Sequence, residues 1–377
     1  MRMPTKSQVE KYLSSVTSSK INVSYFGPLS DYEKEPERGG DIKTLGYGVP
    51  YLVVYKQGGQ TRRSIVSTMR ISRGFGHDYR SDRIDNLVLS YDTWNRLPKH
   101  SKIQDIGAFK KKDSSMLSLG DADEFFLLRP MIDGVEYYKD LDRIFSTGNL
   151  QTNDVPRAHA LADYLAVIHS KKNEKKEDKE LYLRKIRDTL GHGECIFGLA
   201  DSYPESTDFL TEGELAELEK KCVEHRWSLR KNTSRLSQVH GDFHPWNVLF
   251  SKDKKRPLEF RLLDRSRGEW GEPADDLCAM SINYIFYSLR KYGEFKGEYA
   301  ELFNEFLNTY MKKTGDTQIF DAMPLFYTFR ALVIASPLWY PTLSRDTRRK
   351  IFNFAHNILE ERRFDPARVN DYLMWKN

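Results

Sequence analysis

Alternating apolar and polar positions predict β-strands in the first third of the chain. Leu52–Tyr55 and Ser64–Met69 have the apolar, β-branched composition of strands, and Ile42–Leu45 predicts a shorter strand before them. The residues Q-G-G-Q at 57–60 separate the two longer segments, and adjacent glycines favour a tight hairpin turn. The pattern therefore predicts an antiparallel meander.

Helical spacing occurs twice in the same part of the chain. Thr5 and Gln8 have the spacing of a capping box, ahead of apolar residues that recur at helical intervals. A second run with this spacing covers Ser81–Leu97 and stops at Pro98. Strand composition returns in three further segments, Ile103–Phe109, Met116–Leu119 and Phe125–Leu128.

The remainder of the chain has a mainly helical pattern. Arg157–His169 places its leucine and isoleucine residues on one helix face. One hairpin interrupts the helices, with Val248–Phe250 as its first strand and Leu258–Leu263 as its return strand. The return strand ends at Asp264, so the hairpin brings this carboxylate back towards the residues before Val248.

Length and composition narrow the class of protein. A chain of 377 residues is too long for one ordinary core and predicts two domains or two lobes that share a cleft. The formal net charge is only +5, and the basic residues are scattered among acids, so we expect no nucleic-acid partner. Three widely spaced cysteines predict neither a disulfide framework nor a zinc site and favour a reducing compartment. With no apolar segment typical of a signal peptide or a bilayer span, we expect a cytoplasmic protein without a membrane partner.

A polar loop, V-H-G-D-F-H-P-W-N-V-L-F from Val239 to Phe250, is the main candidate for chemistry. Asp242 and Asn247 are costly to bury, yet they lie between apolar segments, and the hairpin returns Asp264 beside them. Magnesium prefers such oxygen ligands and is commonly shared with substrate phosphates. One carboxylate that orients and deprotonates a hydroxyl, with an amide and a second carboxylate on the metal, is the arrangement that phosphoryl transfer requires.

The sequence H-G-D-F-H-P-W-N followed by L-L-D resembles the catalytic and metal loops of the aminoglycoside phosphotransferase and choline kinase-like family, relatives of the protein kinases. The resemblance covers roughly residues 40 to 340. It implies an α+β, two-lobed protein-kinase-like fold. Residues 1–131 would form an antiparallel-sheet lobe that clamps nucleotide, with a helical N-terminal extension, and residues 132–377 a mainly helical lobe with the catalytic and metal loops.

The resemblance also implies roles for individual loop residues. Asp242 matches the catalytic base, and Asn247 and Asp264 match the magnesium ligands. His240 belongs to the same catalytic loop, where a bracing role is favoured over proton transfer. Asp276, in G-E-P-A-D-D-L-C-A, matches a carboxylate that supports the catalytic loop from behind.

The implied nucleotide contacts lie in the N-terminal part of the chain. Gly46 and Gly48, in L-G-Y-G-V-P, match a glycine-rich cover over the phosphates. Arg70 falls where this fold usually has a phosphate-binding lysine; the alternative is a surface arginine at a strand end. Met131 lies at the end of a segment that resembles the hinge facing the adenine. Asp82 and Asp85 are both candidates to pair with Arg70.

Several polar residues have two open interpretations. His244 and Trp246 either contact the acceptor or pack the loop, and packing is favoured. Arg265 and Arg267 either contact phosphate or acceptor or are solvated. The G-H-G-E segment at 191–194, with His192 and Glu194, either lines an acceptor pocket or simply connects two helices.

These features together predict a kinase that transfers the γ-phosphoryl group of ATP or GTP, with Mg²⁺, to a hydroxyl of a small metabolite or antibiotic-like acceptor. The few residues between Asp264 and Pro273 favour a small acceptor, because peptide kinases need a longer segment there. Balanced acids and bases in the C-terminal part favour a neutral or anionic acceptor. The alternative is a nucleotide-binding pseudokinase that acts as a scaffold, which the joint presence of Asp242, Asn247 and Asp264 disfavours.

Overall fold

The computed structural model describes residues 3–32, 48–71, 74–96, 98–173 and 178–374. The chain divides into two compact units, residues 1–129 and residues 130–377. The first unit contains a small antiparallel sheet, and the second is mainly helical. The fold is therefore a mixture of helix and sheet, while the roles of the two units as nucleotide and catalytic lobes stay a prediction.

The first unit is built on a three-stranded antiparallel sheet. Its elements in chain order are α1 (Lys6–Thr17), β1 (Ile21–Pro28), α2 (Leu29–Tyr32), β2 (Gly48–Gln57), β3 (Gln60–Met69), α3 (Arg80–Trp94), β4 (Gly107–Phe109) and β5 (Met116–Ser118). The strand order is β1-β2-β3, and β4 and β5 form a separate hairpin. The predicted turn between β2 and β3 is confirmed, because Gly58 and Gly59 have φ of +55° and +82°, values that favour glycine.

Helix α1 packs on the sheet and closes the core of the first unit. Val9 and Leu13 lie among buried residues of β1 and β2, including Val23 and Val53. The predicted capping box is confirmed, because the Thr5 hydroxyl accepts from the amide of Gln8 and the Gln8 side chain accepts from the amide of Thr5. The helix therefore begins where the sequence predicts.

Two strand predictions in this unit need correction. Strand β1 was missed, although its first four residues alternate between buried and exposed positions. The predicted strand Phe125–Leu128 is wrong. This segment is irregular, and Leu127 is 95% exposed, because no strand of the described residues pairs with its backbone. The predicted strand Ile42–Leu45 lies outside the described residues.

The second unit is mainly helical and also contains short strands. Its elements are β6 (Val135–Glu136), α4 (Tyr138–Thr147), α5 (Asp154–His169), α6 (Lys179–Gly191), α7 (Ile196–Asp201), α8 (Glu212–Leu229), β7 (Ser237–Gln238), β8 (Val248–Phe250), β9 (Phe260–Leu262), β10 (Trp270–Gly271), α9 (Pro273–Tyr292), α10 (Gly297–Thr314), α11 (Ile319–Ala335), α12 (Arg345–Leu359) and α13 (Val369–Leu373).

Helix α9 forms the centre of the second unit. It is buried along almost its whole length and packs against α10 and α11, while α12 packs against α11. The predicted hairpin is confirmed as β8 and β9, which pair in antiparallel register with Leu249 opposite Arg261. Strand β6 adds a third strand on the other side of β8, which sequence analysis did not predict. None of the helices in the described residues has the length and apolar character needed to cross a membrane.

We predict that Gly198→Ala destabilises the second unit. A Cβ at Gly198, in α7, would lie 1.9 Å from the carbonyl oxygen of Gly193, so the α6–α7 connection would have to move. Overpacking of this kind costs roughly 1–3 kcal/mol in the free energy of unfolding. Gly213→Ala is the matched control, because a Cβ there meets nothing closer than 3.9 Å within α8. Denaturant unfolding should show a loss for Gly198→Ala alone, and equal stability of the two variants would contradict the clash.

Candidate active site

A buried carboxylate at the start of α9 holds the backbone of the loop between Val239 and Asn247, for which the sequence predicts a catalytic role. The side chain of Asp276 is fully buried, and its two oxygens accept from the amides of His240 and Gly241, both at 2.7 Å. His169 Nε2 lies 3.1 Å from the same carboxylate. Burial works to raise the pKa of Asp276, but these hydrogen bonds and the nearby histidines hold it below its ordinary value. The predicted support from behind the loop is therefore seen in the structure.

The conformations of His240 and Gly241, the two residues that Asp276 holds, are constrained by further contacts. Gly241 has φ of +89°, and a Cβ there would lie 3.0 Å from Arg267 Cβ, so the position requires glycine. His240 uses both ring nitrogens within the protein: Nε2 donates to the carbonyl of Leu263 at 2.9 Å, and Nδ1 accepts from the amide of Asp242 at 3.3 Å. The ring thus ties the loop to the end of β9, which supports a bracing role for His240.

Asp242 extends from this loop into an ion pair that the sequence motif does not contain. Its Oδ1 accepts from Arg330 Nη1 at 2.5 Å. Arg330 lies on α11, is 7% exposed, and also donates through Nη2 to the carbonyl of Gly241 and to Asp275 Oδ1 at 2.6 Å. One guanidinium therefore holds both the backbone carbonyl of Gly241 and the side chain of Asp242.

The surroundings of Asp242 keep it ionised. Burial works to raise its pKa, but a hydrogen bond from His244 and the charges of Arg330 and Arg267 outweigh this effect. The pKa of Asp242 is consequently well below its usual range. His244 Nδ1 accepts from the amide of Trp246, and its Nε2 lies 3.4 Å from Asp242 Oδ2 and 3.2 Å from Asn247 Nδ2.

Asn247 is oriented so that one end of its amide is engaged and the other is not. Its Nδ2 donates to the backbone carbonyl of Asp242 at 3.0 Å, and the side chain is largely buried. Among the described residues, no donor reaches Oδ1. A hard oxygen is thus left available on the loop that carries Asp242.

The position of Asp264 in the chain follows from the pairing of its neighbour Leu263 with the loop. The amide of Leu263 donates to the carbonyl of Asn247 at 2.9 Å, so Asp264 follows directly on the residue that pairs with Asn247. Asp264 is exposed and has φ of +50°, a left-handed conformation that aspartate adopts more readily than most residues. One carboxylate oxygen accepts from the amide of Ser266 at 3.1 Å, which fixes the turn.

The described residues contain no group of three or more His, Cys, Asp or Glu side chains arranged to hold a metal ion. A magnesium site here would consist of one amide oxygen, one carboxylate and phosphate oxygens of the nucleotide. This donor set is one that magnesium uses, because it is often bound by one or two carboxylates together with substrate phosphates.

Of the four predicted nucleotide contacts, the structure describes Gly48, Arg70 and Met131. Gly48 begins β2 and pairs with Met69 of β3, so Arg70 follows at the same end of that hairpin. Gly46 lies outside the described residues, and Met131 is 92% exposed in an irregular segment. Within the described residues, Arg70 forms no ion pair with Asp82 or Asp85, and Asp82 accepts from the amide that precedes α3.

The other polar residues singled out in the sequence have partners within the protein. Arg265 donates to the carbonyl of Val239 at 3.2 Å, and Arg267 stacks over the ring of Phe329 at 4.9 Å. His192 accepts from the amide of Glu194 in the connection between α6 and α7, where both are exposed. This placement favours the interpretation of G-H-G-E as an ordinary helix connection.

Sequence reasoning missed Arg330 and Asp275. Arg330 lies 88 residues after Asp242, and no local motif joins them. The available signal was a single arginine inside the apolar run L-F-Y-T-F-R-A-L-V-I-A of α11, because a charge in a buried helix needs a partner. Asp275 was passed over in favour of its neighbour Asp276, since the family motif assigns only one of the two.

No family model matches this chain, and no curated protein matches it. In its loop motif the chain resembles the aminoglycoside phosphotransferase and choline kinase-like family. Solved structures of the same group are retrieved at low similarity. An ethanolamine kinase from Plasmodium vivax has 11% identity over 96% of this chain and 82% of its own, with a TM-score of 0.35.

Two further solved structures belong to this group. The choline kinase LicA from Streptococcus pneumoniae has 13% identity over 93% of this chain and 97% of its own, with a TM-score of 0.33. The GDP complex of aminoglycoside 2′-phosphotransferase-IIIa has 13% identity over 95% and 98%, also with a TM-score of 0.33. Since these TM-scores are below 0.5, the roles of individual residues rest on the loop geometry and not on these matches.

We predict that Asp276→Ala destabilises the second unit strongly. The change leaves the amides of His240 and Gly241 without their acceptor, and each buried unsatisfied donor costs about 1–3 kcal/mol. We therefore expect a loss of about 2–5 kcal/mol in the free energy of unfolding, measured with denaturant. Asp346→Ala, which removes an exposed carboxylate of α12, is the control and should cost less than about 1 kcal/mol. Similar losses in the two variants would show that Asp276 does not hold the loop.

Proposed function

We propose that this protein is a small-molecule kinase that transfers the γ-phosphoryl group of ATP or GTP to a hydroxyl of a small acceptor. The observation that carries the proposal is the loop braced by Asp276. This loop carries Asp242 and Asn247, and the hydrogen bond from the Leu263 amide to the Asn247 carbonyl supports a position of Asp264 beside it. Positioning of this kind is most of what a protein contributes to phosphoryl transfer.

Asp242 is the proposed catalytic residue, and its environment indicates how it acts. The ion pair with Arg330 engages Oδ1, and His244 lies 3.4 Å from Oδ2, whose second lone pair would accept a hydrogen bond from the acceptor hydroxyl. A carboxylate with so low a pKa is a weak base, so it orients the hydroxyl and takes its proton late in the transfer. This suits a loose transition state, in which the attacking oxygen carries little negative charge at first.

Asn247 and Asp264 are the proposed magnesium ligands. The open Oδ1 of Asn247 and the exposed carboxylate of Asp264 are hard oxygen donors, which fits this ion. When bound, magnesium would neutralise charge on the β- and γ-phosphates and hold them in line with the acceptor. His240 braces the loop that carries Asn247 and does not itself move a proton in this proposal.

The proposed nucleotide contacts are Gly46, Gly48, Arg70 and Met131. Gly48 and Arg70 share one end of the β2–β3 hairpin, which supports their joint use on phosphate. A glycine lets a backbone amide approach phosphate oxygens, and the guanidinium of Arg70 binds phosphate through two parallel hydrogen bonds. Met131 is proposed only by position, in the segment that resembles the adenine-facing hinge.

Asp242→Asn tests the catalytic assignment. The amide keeps the shape of the side chain but cannot accept the proton, so turnover should fall by roughly 10²–10⁴-fold while nucleotide affinity changes little. Asp253→Asn, on the β8–β9 turn, is the matched control and should keep wild-type turnover. The measurement is nucleotide consumption with a panel of hydroxylated compounds. Near-normal turnover in Asp242→Asn would remove the assignment, and nucleotide binding without any turnover in the wild-type chain would indicate the scaffold alternative.

Asp264→Asn tests the metal assignment without disturbing the turn. Asparagine tolerates the positive φ of this position and can still accept from the Ser266 amide, but it lacks the negative charge. We expect weaker nucleotide binding in the presence of magnesium and little change in its absence, as measured by calorimetry. Equal loss under both conditions would assign Asp264 to folding or nucleotide contact and not to the metal.

A further inference from the structure

The second unit contains a cavity of about 430 Å³ beside the catalytic loop. This volume lies within the range of pockets that hold small molecules. Residues of α4, the catalytic loop, α9 and the connection from α11 to α12 line it, and those with a role below are Tyr138, Asp142, Trp246, Tyr287, Arg290 and Tyr340. The proposed function as stated above assigns no role to this cavity.

Trp246 connects the cavity wall to the proposed chemistry. It lies four residues after Asp242 and directly before Asn247 on the braced loop. Its ring stacks in parallel on Tyr138 of α4, with centroids 5.2 Å apart and an interplanar angle of 12°. His244, two residues before Trp246, contacts both the Trp246 amide and the Asp242 carboxylate. A ligand in this cavity would therefore lie against the loop that carries the proposed catalytic residue.

The cavity carries one positive and one negative group, and they differ in how they are engaged. Asp142 accepts a hydrogen bond from the hydroxyl of Tyr287 at 2.7 Å. Arg290 lies over the rings of Phe145, Phe286 and Tyr287 at 4.9, 5.4 and 5.4 Å. Within the described residues, its guanidinium has no carboxylate partner and donates to no protein acceptor. Its planar donors are thus oriented by the rings and left for a ligand.

This arrangement disfavours a cationic ligand. Aromatic rings around a cavity attract an ammonium group through their faces, but here Arg290 already occupies three of those faces. A second cation would meet the charge of Arg290 at close range. A carboxylate or phosphate would instead form paired, charge-assisted hydrogen bonds with the same guanidinium.

We infer that this cavity binds the acceptor, and that the acceptor is a polyhydroxy compound that carries one carboxylate or phosphate group. The inference rests on the proposed function and names its substrate class. Arg290 would hold the anionic group, Asp142 would accept from ligand hydroxyls, and Trp246 and Tyr340 would contact the apolar faces of the ligand. The hydroxyl that receives phosphate would then be the one presented past Trp246 to Asp242.

The test compares matched probes as acceptors in the presence of this chain, ATP and magnesium. The probes are glucuronate and glucose 6-phosphate as anions, glucose as the neutral compound, and glucosamine and choline as cations. Acceptor-dependent ADP release gives the specificity constants, and calorimetry gives binding. We expect at least one anionic probe to exceed glucose by about 10–100-fold and the cations by more, as expected for hydrogen bonds to a charged group. The two anions distinguish a carboxylate from a phosphate as the recognised group.

Two variants make the test specific to Arg290. Arg290→Gln should remove most of the advantage of the anionic probe over glucose, and the loss should be seen in KM more than in kcat. Arg230→Gln is the matched control, because Arg230 also stacks on an aromatic ring, that of Trp227 at 4.2 Å, but lies on a different surface. The control should keep the wild-type preference.

Three results would overturn the inference: preference of the wild-type chain for glucosamine or choline, an unchanged ratio of anionic to neutral probe in Arg290→Gln, or no binding of any anionic or neutral probe at millimolar concentration. Failure of the proposed function would differ from these. In that case an anionic probe would still bind in an Arg290-dependent manner, but no phosphate would be transferred to any probe.

Discussion

The buried carboxylate of Asp276 is the constraint on which the proposed site depends. A carboxylate without solvent is costly unless its oxygens are fully hydrogen-bonded, and here two loop amides and His169 satisfy them. The position at the first turn of α9 adds the favourable field of the helix N-terminus. The loop backbone at His240 and Gly241 is therefore fixed by a helix that is itself buried along almost its whole length.

Three further contacts position the side chains around this fixed backbone. His240 ties the loop to Leu263 at the end of β9, and the β8–β9 pairing sets where Asp264 begins. Arg330 approaches from α11 and holds Asp242 on one oxygen. The proposed reacting groups thus depend on packing between α9, α11 and a short hairpin. Of the two proposed magnesium ligands, Asn247 is buried and Asp264 lies on an exposed turn.

The local features were predictable from the sequence, and the long-range ones were not. The Gly58–Gly59 turn, the Thr5 capping box and the β8–β9 hairpin depend on neighbouring residues, whose types determine the backbone. The pairing of β6 with β8 and the ion pair of Arg330 with Asp242 join distant segments that carry no local signal. Phe125–Leu128 had strand composition but no partner strand, so composition alone gave the wrong prediction.

A crystal grown with manganese and a non-hydrolysable ATP analogue would test the central claim most directly. Manganese replaces magnesium at oxygen sites and is located by its anomalous scattering. We expect a peak about 2 Å from both Asn247 Oδ1 and an oxygen of Asp264, with the γ-phosphate of the analogue facing Asp242. A bound analogue whose metal lies away from both residues, or whose γ-phosphate faces away from Asp242, would contradict the assignment of this loop to phosphoryl transfer.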